Sequence, residues 1–489
     1  MYSISLNDNN LSFKTLEQNI YKNVCDIACD IFKEVLETLD KLLMSTRDVE
    51  KYRHKGIKET HIHTVMGVIE YGRRIYECYN DDNKKEYIFL LDQHLNNETV
   101  GHVSTNLAGK IIERSLEESY RKTAEAIQSA TNANLSHTTA WNVVQKVGEK
   151  IEEREEKLIE EYEQGKLNGE REVEVLFQEA DGVWLCMQGK DRPAKGKRKE
   201  MKVAINYEGW RNRKSQKDEY EVYNKTACAS FQKGSEFKKL WEAKVAQNYN
   251  VDEIKLRVVN GDGDPWIKPD VNEEGVHFQL DPFHISRAIL RSIPDKKQAK
   301  EINKLIKKGQ TDKVFEVLTE LLIECKDKEE FEKIEKLYNY LSNNHEGLKP
   351  YQLRDIQLPK LPGGLEYRGM GTMEADICNI ITLRMKNRKM SWSEKGGNYL
   401  AKLLTARTSG ELYKQLDGIF GGDISETMQN EIIEVVQLSA AQANRMNKGN
   451  GTNPIKTVPM PYEGQVLTEG RKAIRNLVKN RVISDFRIY

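Results

Sequence analysis

The order of strand-like and helix-like stretches between residues 172 and 280 limits this chain more than any other feature. REVEVLFQEADGVWLCMQ alternates apolar and polar residues, with Val173, Val175 and Phe177 on one side. A basic turn separates it from two further strand-like runs, MKVAINYEG and KTACASF. SEFKKLWEAKVAQNY then switches to helical spacing, and EIKLRVV and GVHFQL return to strand. Three strands in meander, followed by alternating helix and strand, predict an α/β domain with a mixed sheet. Residues 285–350 interrupt it with charged helical sequence. A Pro/Gly-marked connection follows at 351–366, and then a helix over 372–389.

The N-terminal part reads differently. Val24, Ile27, Ile31, Val35 and Leu39 recur at helical spacing within 15–45. Residues 60–93 contain runs suited to a small β element. Glu59, His61 and His63 alternate there in the manner of metal ligands, but a lone alternating His pair is more often a surface strand. SYRKTAEAIQSATNANLSHTTAWNVVQKVG reads as helix, turn, helix. Ser136 suits the N-cap of the second helix, whose buried side would carry Ala140, Val143, Val144 and Val147. Its other side presents Thr138, Asn142, Gln145 and Lys146, which can donate to phosphates or base edges. Two helices joined by a polar turn give the same pattern without any DNA. The expected organisation is a helical and small-β region (1–104), a helix-turn-helix region (105–150) and a charged helical linker (151–170). A catalytic domain (171–284 and 351–410) is expected next, with a helical insertion (285–350) and a C-terminal helical region and tail (411–489).

Charge restricts the partners. The 489 residues hold 76 basic and 76 acidic side chains, so a chain coated uniformly with cations is excluded. Local distribution matters more. Basic residues cluster at 190–202, including Lys197 and Arg198, and at 384–389, including Arg384 and Arg388. Either cluster is a solvated face or a phosphate contact. The seven cysteines show no CxxC pair and no zinc spacing, which fits a reducing compartment. No stretch of about 18 apolar residues occurs, and MYSISLNDNNLSFK lacks a secretory pattern. A cytoplasmic protein with no membrane segment is expected.

Metal-assisted phosphoryl transfer needs hard oxygen ligands converging on one place. Asp181 lies in the strand-like QEADGVWL, Asp262 directly follows EIKLRVVN, and Glu374 opens the helix MEADICNIITLRMKNR. Strand ends are where an α/β sheet displays functional groups. With 76 acidic residues, such a trio is weak evidence taken alone. HFQLDPFHISRAI adds Asp281 and His284 just after a strand. His284 could orient a carboxylate or contact a phosphate, and Asp281 could simply cap a helix.

These segments resemble the ISLre-type transposases of bacterial insertion sequences. EADGVWLCMQ, NGDGDPWIK, QLDPFHISRAI and MEADICNIITLRMKNRKMSWSEKGGNYLAKL carry the resemblance, which runs from about residue 50 onward. It implies an α/β ribonuclease H-like catalytic domain of the DDE kind with a helical insertion before the Glu. The N-terminal region would be mainly helical and bind DNA. Asp181, Asp262 and Glu374 would hold two Mg²⁺ or Mn²⁺ ions. Asp281 and His284 match a pair that follows the second Asp in the similar Mutator-like transposases. The resemblance selects Asp262 over Asp264, where the family carries a small apolar residue. It implies double-stranded DNA as partner, both element ends and target, and a homodimer or higher assembly. A decayed DNA-binding relative and a host nuclease of the same fold remain the alternatives.

Overall fold

In the computed structural model, residues 12–80, 83–95, 99–213, 219–269 and 273–420 are described. The chain divides into two compact units, Met1–Thr46 with Ile424–Tyr489, and Arg47–Asp423. The described part of the first unit is one long helix, α1 (Phe13–Thr46), which buries Cys25, Val35, Leu36 and Leu39 but leaves Val24 exposed. Most of the expected tail, 421–489, lies outside the described residues. Among the described residues no helix is long and apolar enough to cross a membrane.

The second unit opens with a hairpin of β1 (Arg53–Thr64) and β2 (Gly67–Tyr79), longer than the strand runs suggest. β3 (Lys85–Phe89), the short helix α2 (Leu90–His94), β4 (Thr99–Val100) and β5 (Val103–Ser104) complete a sheet of order β3-β2-β1-β5-β4. Three helices follow, α3 (Thr105–Glu117), α4 (Tyr120–Ala130) and α5 (His137–Glu163). Ser136 caps α5 by accepting from the Thr139 amide at 3.1 Å. The α4–α5 turn is pinned to the hairpin tip. The Asn132 amide donates to the Val65 carbonyl (3.2 Å), and Asn132 Nδ2 donates to the Met66 carbonyl (2.8 Å).

α5 corrects the expected linker. It runs unbroken to Glu163 and buries Ile151, Glu155 and Leu158 in its second half. One apolar cluster extends from Val100 through α5 to Ile419, so the helix-turn-helix region shares its core with the sheet that follows.

That sheet comprises β6 (Val175–Cys186), β7 (Arg198–Tyr207), β10 (Thr226–Ser230), β11 (Leu256–Gly261) and β12 (Val276–Leu280) in the order β10-β7-β6-β11-β12. β7 is antiparallel to both its neighbours, whereas β6, β11 and β12 run parallel. Between β7 and β10 the hairpin of β8 (Trp210–Asn212) and β9 (Tyr220–Val222) forms a small side sheet, joined later by β13 (Leu365–Glu366). Helix α6 (Gly234–Asn248) connects β10 to β11. Odd-numbered β6 residues Val175, Phe177, Val183 and Leu185 enter the large core, while Ala180 packs on the opposite face with Trp241 and Phe237 of α6.

After β12 come α7 (Pro282–Ser292), α8 (Lys296–Lys307), α9 (Thr311–Glu324), α10 (Lys328–Ser342) and α11 (His345–Leu348). These helices bury a second apolar cluster, including Ile285, Ile302, Leu318 and Leu341, which meets the sheet at Leu280 of β12. The late helix departs from the expected single run over 372–389. α12 (Met373–Ile377) passes into a π-helix at Cys378–Lys386 and ends in a 3₁₀ turn at Asn387–Lys389. α13 (Glu394–Thr408) then packs on β10 and α5, and α14 (Leu412–Phe420) follows.

Gly148 of α5 meets Tyr399 of α13 so closely that an added Cβ would lie 2.3 Å from the Tyr399 Cβ. Gly→Ala in a helix normally stabilises by about 1 kcal/mol. Here overpacking, at about 1–3 kcal/mol, should win. Gly148→Ala is therefore expected to lower the melting temperature in thermal denaturation, and a rise would refute this packing.

Candidate active site

Glu179 and Asp181 replace two core residues on the inward face of β6, because they share the odd-numbered side with Phe177 and Val183. Parallel pairing of β6 with β11 ends at Glu179↔Asn260. Two residues further along the same faces, Asp181 and Asp262 are level neighbours where β11 stops. On the other side of β11 the register Gly261↔Leu280 brings Asp281 to that level as well. The Asp281 amide donates to the Gly261 carbonyl at 2.8 Å. Two strand ends and the middle of β6 thus deliver one aspartate each to one level of the sheet.

Glu179 lies beneath this level, fully buried. Its carboxylate accepts from Tyr207 Oη (2.6 Å) on β7, Asn260 Nδ2 (2.9 Å) on β11, the Gly371 amide (3.0 Å), and the Thr372 amide and hydroxyl (3.1 and 3.0 Å). Burial raises its pKa to about 6, against the pull of these donors. The last three bonds anchor the residues that lead into α12, and α12 packs against β6. Asn260 Nδ2 is shared with Asp281 Oδ2 (2.9 Å), while Asp281 Oδ1 caps α7 through the Phe283 amide (2.6 Å). Asp281 is therefore both a cap and part of the carboxylate network.

His284, one turn into α7, places Nε2 3.2 Å from Asp181 Oδ2. This bond raises the imidazole's pKa, with help from the charges of Asp181, Asp281 and Asp262. Asp181 Oδ1 accepts from the Gly182 amide (2.7 Å). Asp262 is half-buried, and its Oδ1 accepts from the Asp264 amide (2.9 Å). Burial first, then the charges of Asp264 and Asp181, push its carboxyl pKa up, which places Asp181 and Asp262 in one electrostatic neighbourhood. Asp264 is exposed. From the insertion, Tyr340 Oη donates to the Asp262 carbonyl (2.9 Å). Glu374 is the second residue of α12 and is exposed.

Of the predicted residues, the structure brings Asp181, Asp262, Asp281 and His284 together. Glu374 stands on the neighbouring helix that Glu179 anchors. Among the described residues, no group of three or more His, Cys, Asp or Glu side chains is arranged to hold a metal ion. The chemistry of the donors still suits a hard divalent cation. Asp181 and Asp262 offer carboxylate oxygens alone, the ligand type that such cations take.

The predicted DNA contacts divide. Thr138, Asn142 and Lys146 are exposed along α5, as are Lys197 and Arg198 at the start of β7. Gln145 is half-buried, with Oε1 3.6 Å from where a Gly396 Cβ would stand, so it faces α13 and not solvent. Arg384 is a correction. It lies buried on the stripe of Ile377, Ile380 and Ile381, donates to the Ser115 carbonyl (2.6 Å), and stacks near the rings of Tyr120 and Trp392. Its guanidinium holds α3 to the π-helix and is closed to phosphate. The Arg388 side chain lies outside the described residues. Glu179, Asn260, Tyr207 and Tyr340 do not stand out in the sequence alone. The signal for Glu179 is nevertheless present in QEADG, as a second acid two residues before Asp181 on an otherwise apolar strand face.

The chain belongs to the uncharacterised protein family UPF0236, whose sequence pattern matches residues 6–417. It is 25% identical over 416 residues to a UPF0236 protein of Caldanaerobacter subterraneus subsp. tengcongensis, covering 83% of this chain and 80% of that one. The name of that relative joins eleven loci. A second protein of the same organism, whose name joins four loci, is 25% identical over 390 residues, covering 77% of this chain and 74% of that one. A UPF0236 protein of Streptococcus gallolyticus, described as lying in the vanSb 3′ region, is 23% identical over 403 residues, covering 81% and 83%.

Replacing Glu179 by Gln keeps its size but turns an amide N–H₂ toward donors. Leaving buried donors unpaired costs about 1–3 kcal/mol. Glu179→Gln is expected to lower the melting temperature more than Glu374→Gln does. Equal melting temperatures for the two variants would contradict the anchoring role.

Proposed function

We propose that this UPF0236 protein is a DNA transposase of the DDE kind, cutting element ends and joining them to target DNA. The carrying observation is that Asp181, within β6, and Asp262, just past the end of the adjacent parallel strand β11, reach one level, while α12, which packs on β6, bears Glu374 in its first turn. The sheet order, with β6 central and only β7 reversed, supports a ribonuclease H-like reading of this domain. A relative whose name joins eleven loci of one organism supports a sequence that multiplies within a genome.

In this reading Asp181, Asp262 and Glu374 would hold Mg²⁺ or Mn²⁺, two ions in all, which when bound would supply Lewis acidity at the phosphate and lower the pKa of the attacking hydroxyl. Water adds to phosphorus as the P–O3′ bond breaks, leaving a 3′-hydroxyl and a 5′-phosphate. The 3′-hydroxyl then attacks a target phosphate, and the departing target oxygen takes up the proton. His284, oriented by its bond to Asp181, offers a ring N–H to a phosphate oxygen. Asp281 acts through Asn260 and the cap of α7 to hold His284 in place. Thr138, Asn142 and Lys146 on α5 read the element ends, and Lys197 and Arg198 add phosphate contacts. Two protomers pair the two ends of the element.

Purified protein is expected to nick and join an end-containing duplex in Mg²⁺ or Mn²⁺. Asp181→Ala, Asp262→Ala and Glu374→Ala should each lower the rate at least about a hundredfold, the scale of losing a principal electrostatic contributor. DNA affinity and melting temperature should stay near wild type. Undiminished joining by Asp262→Ala would overturn the assignment. Hydrolysis without joining would make the protein a nuclease. DNA binding with no Mn²⁺ site in calorimetry would make it a non-catalytic binder.

A further inference from the structure

The sign of the exposed charge changes within the helical insertion. Over residues 287–308, in α7 and α8, eight lysines and arginines stand against two carboxylates, Asp295 and Glu301. Over 311–342, in α9 and α10, nine carboxylates stand against five lysines. A helix face that merely needs solvation mixes the two signs, and a chain with zero net charge has no general excess of cations to place there.

Packing decides which way these cations point. α7 buries Ile285 and Ile289, and α8 buries Ala299, Ile302 and Ile306. Arg287, Arg291, Lys297, Lys300 and Lys304 fall on the other side and are exposed. Asp295 is occupied as the N-cap of α8, accepting from the Lys297 amide at 2.8 Å. Among the described residues, none of these five cations has a carboxylate within ion-pair distance. On α10, by contrast, Lys333 is neutralised by Glu329 at 2.7 Å. The cationic face also begins at the carboxylate centre. α7 starts on Asp281, its third residue His284 binds Asp181, and the exposed Phe283 ring lies 5.9 Å from the Arg287 guanidinium.

We infer that the exposed face of α7 and α8 is a phosphate-binding ridge that holds the DNA strand running away from the carboxylate centre. The identity of the polyanion rests on the transposase reading. The unpaired cations supply sequence-independent attraction to the backbone, the role that the buried Arg384 cannot fill.

The test uses the full chain and a fluorescein-labelled DNA duplex of arbitrary sequence, with binding followed by anisotropy over a series of NaCl concentrations. The slope of log Kobs against log salt falls by about 0.9 for each phosphate that is no longer neutralised. The variant Arg287→Gln/Arg291→Gln/Lys300→Gln/Lys304→Gln is expected to flatten the slope by up to about 3.6 and weaken binding at least about tenfold near 0.1 M salt. Arg287→Lys/Arg291→Lys should keep the slope, which guards against a folding defect. Lys313→Gln/Lys328→Gln/Lys333→Gln/Lys336→Gln, on the acidic half, should leave slope and affinity unchanged. An unchanged slope in the first variant, or an equal loss in the acidic-half variant, overturns the ridge. Asp262→Ala separates the two ideas. If it still joins strands, the reading of the centre fails whatever the slopes. If it is inactive while the first variant binds like wild type, the ridge alone fails.

Discussion

Burial of one carboxylate, Glu179, fixes the geometry of everything around it. A charged group in a core is tolerated only when its acceptor sites are filled. Filling them recruits Tyr207 from β7, Asn260 from β11, and Gly371 and Thr372 from the approach to α12. These elements lie far apart in sequence, so no local preference would bring them together. Through Asn260 the same network reaches Asp281 and hence the start of α7. A carboxylate beneath the aspartates thus determines where they stand.

The rest follows from strand register. β6 and β11 pair in parallel, so residues two beyond a matched pair are again level and on the same face. Placing Glu179 opposite Asn260 therefore places Asp181 beside Asp262. The insertion then closes on the second of these from outside, with Tyr340 bonded to the Asp262 carbonyl and Asn344 filling the space over Gly263. Gly263 has φ +99°, a conformation that a side chain would strain, and an added Cβ would lie 2.5 Å from Asn344 Oδ1. The glycine after Asp262 is thus required by the turn and by the close approach of the segment that follows α10.

Elements governed by local chemistry are legible in the sequence. Ser136 begins α5 where a capping serine should, and β6, β7 and β11 form where their apolar runs place them. The harder parts are those where a polar residue sits on a buried stripe because its partner comes from elsewhere. In 151–163 the acids hide a packed helix. Glu155 lies on the inward stripe with Ile151 and Leu158, matched by Lys402 of α13 and Lys244 of α6. Arg384 shows the same effect, since its guanidinium is enclosed by the Ser115 carbonyl and two aromatic rings. Both residues read as solvent-facing because the groups that bind them, Lys402 and Lys244 in one case and the Ser115 carbonyl in the other, lie far away along the chain.

The aspartates and the histidine are legible for a different reason. Asp181 shows as an acid on an otherwise apolar strand face, whereas Asp262, Asp281 and His284 each sit at a change of element, where a strand ends or a helix begins. Asp262 follows β11, Asp281 caps α7, and His284 lies in the first turn after that cap. Glu374 shares this placement, at the second position of α12. What sequence position alone does not set is the side-chain rotation that would close three carboxylates on one point. Asp181 is bonded to His284, Asp262 to the Asp264 amide, and Glu374 is exposed. The fold therefore fixes the backbone positions of the three carboxylates and half-buries Asp262, whose pKa is raised by burial first and by the charges of Asp264 and Asp181 after it.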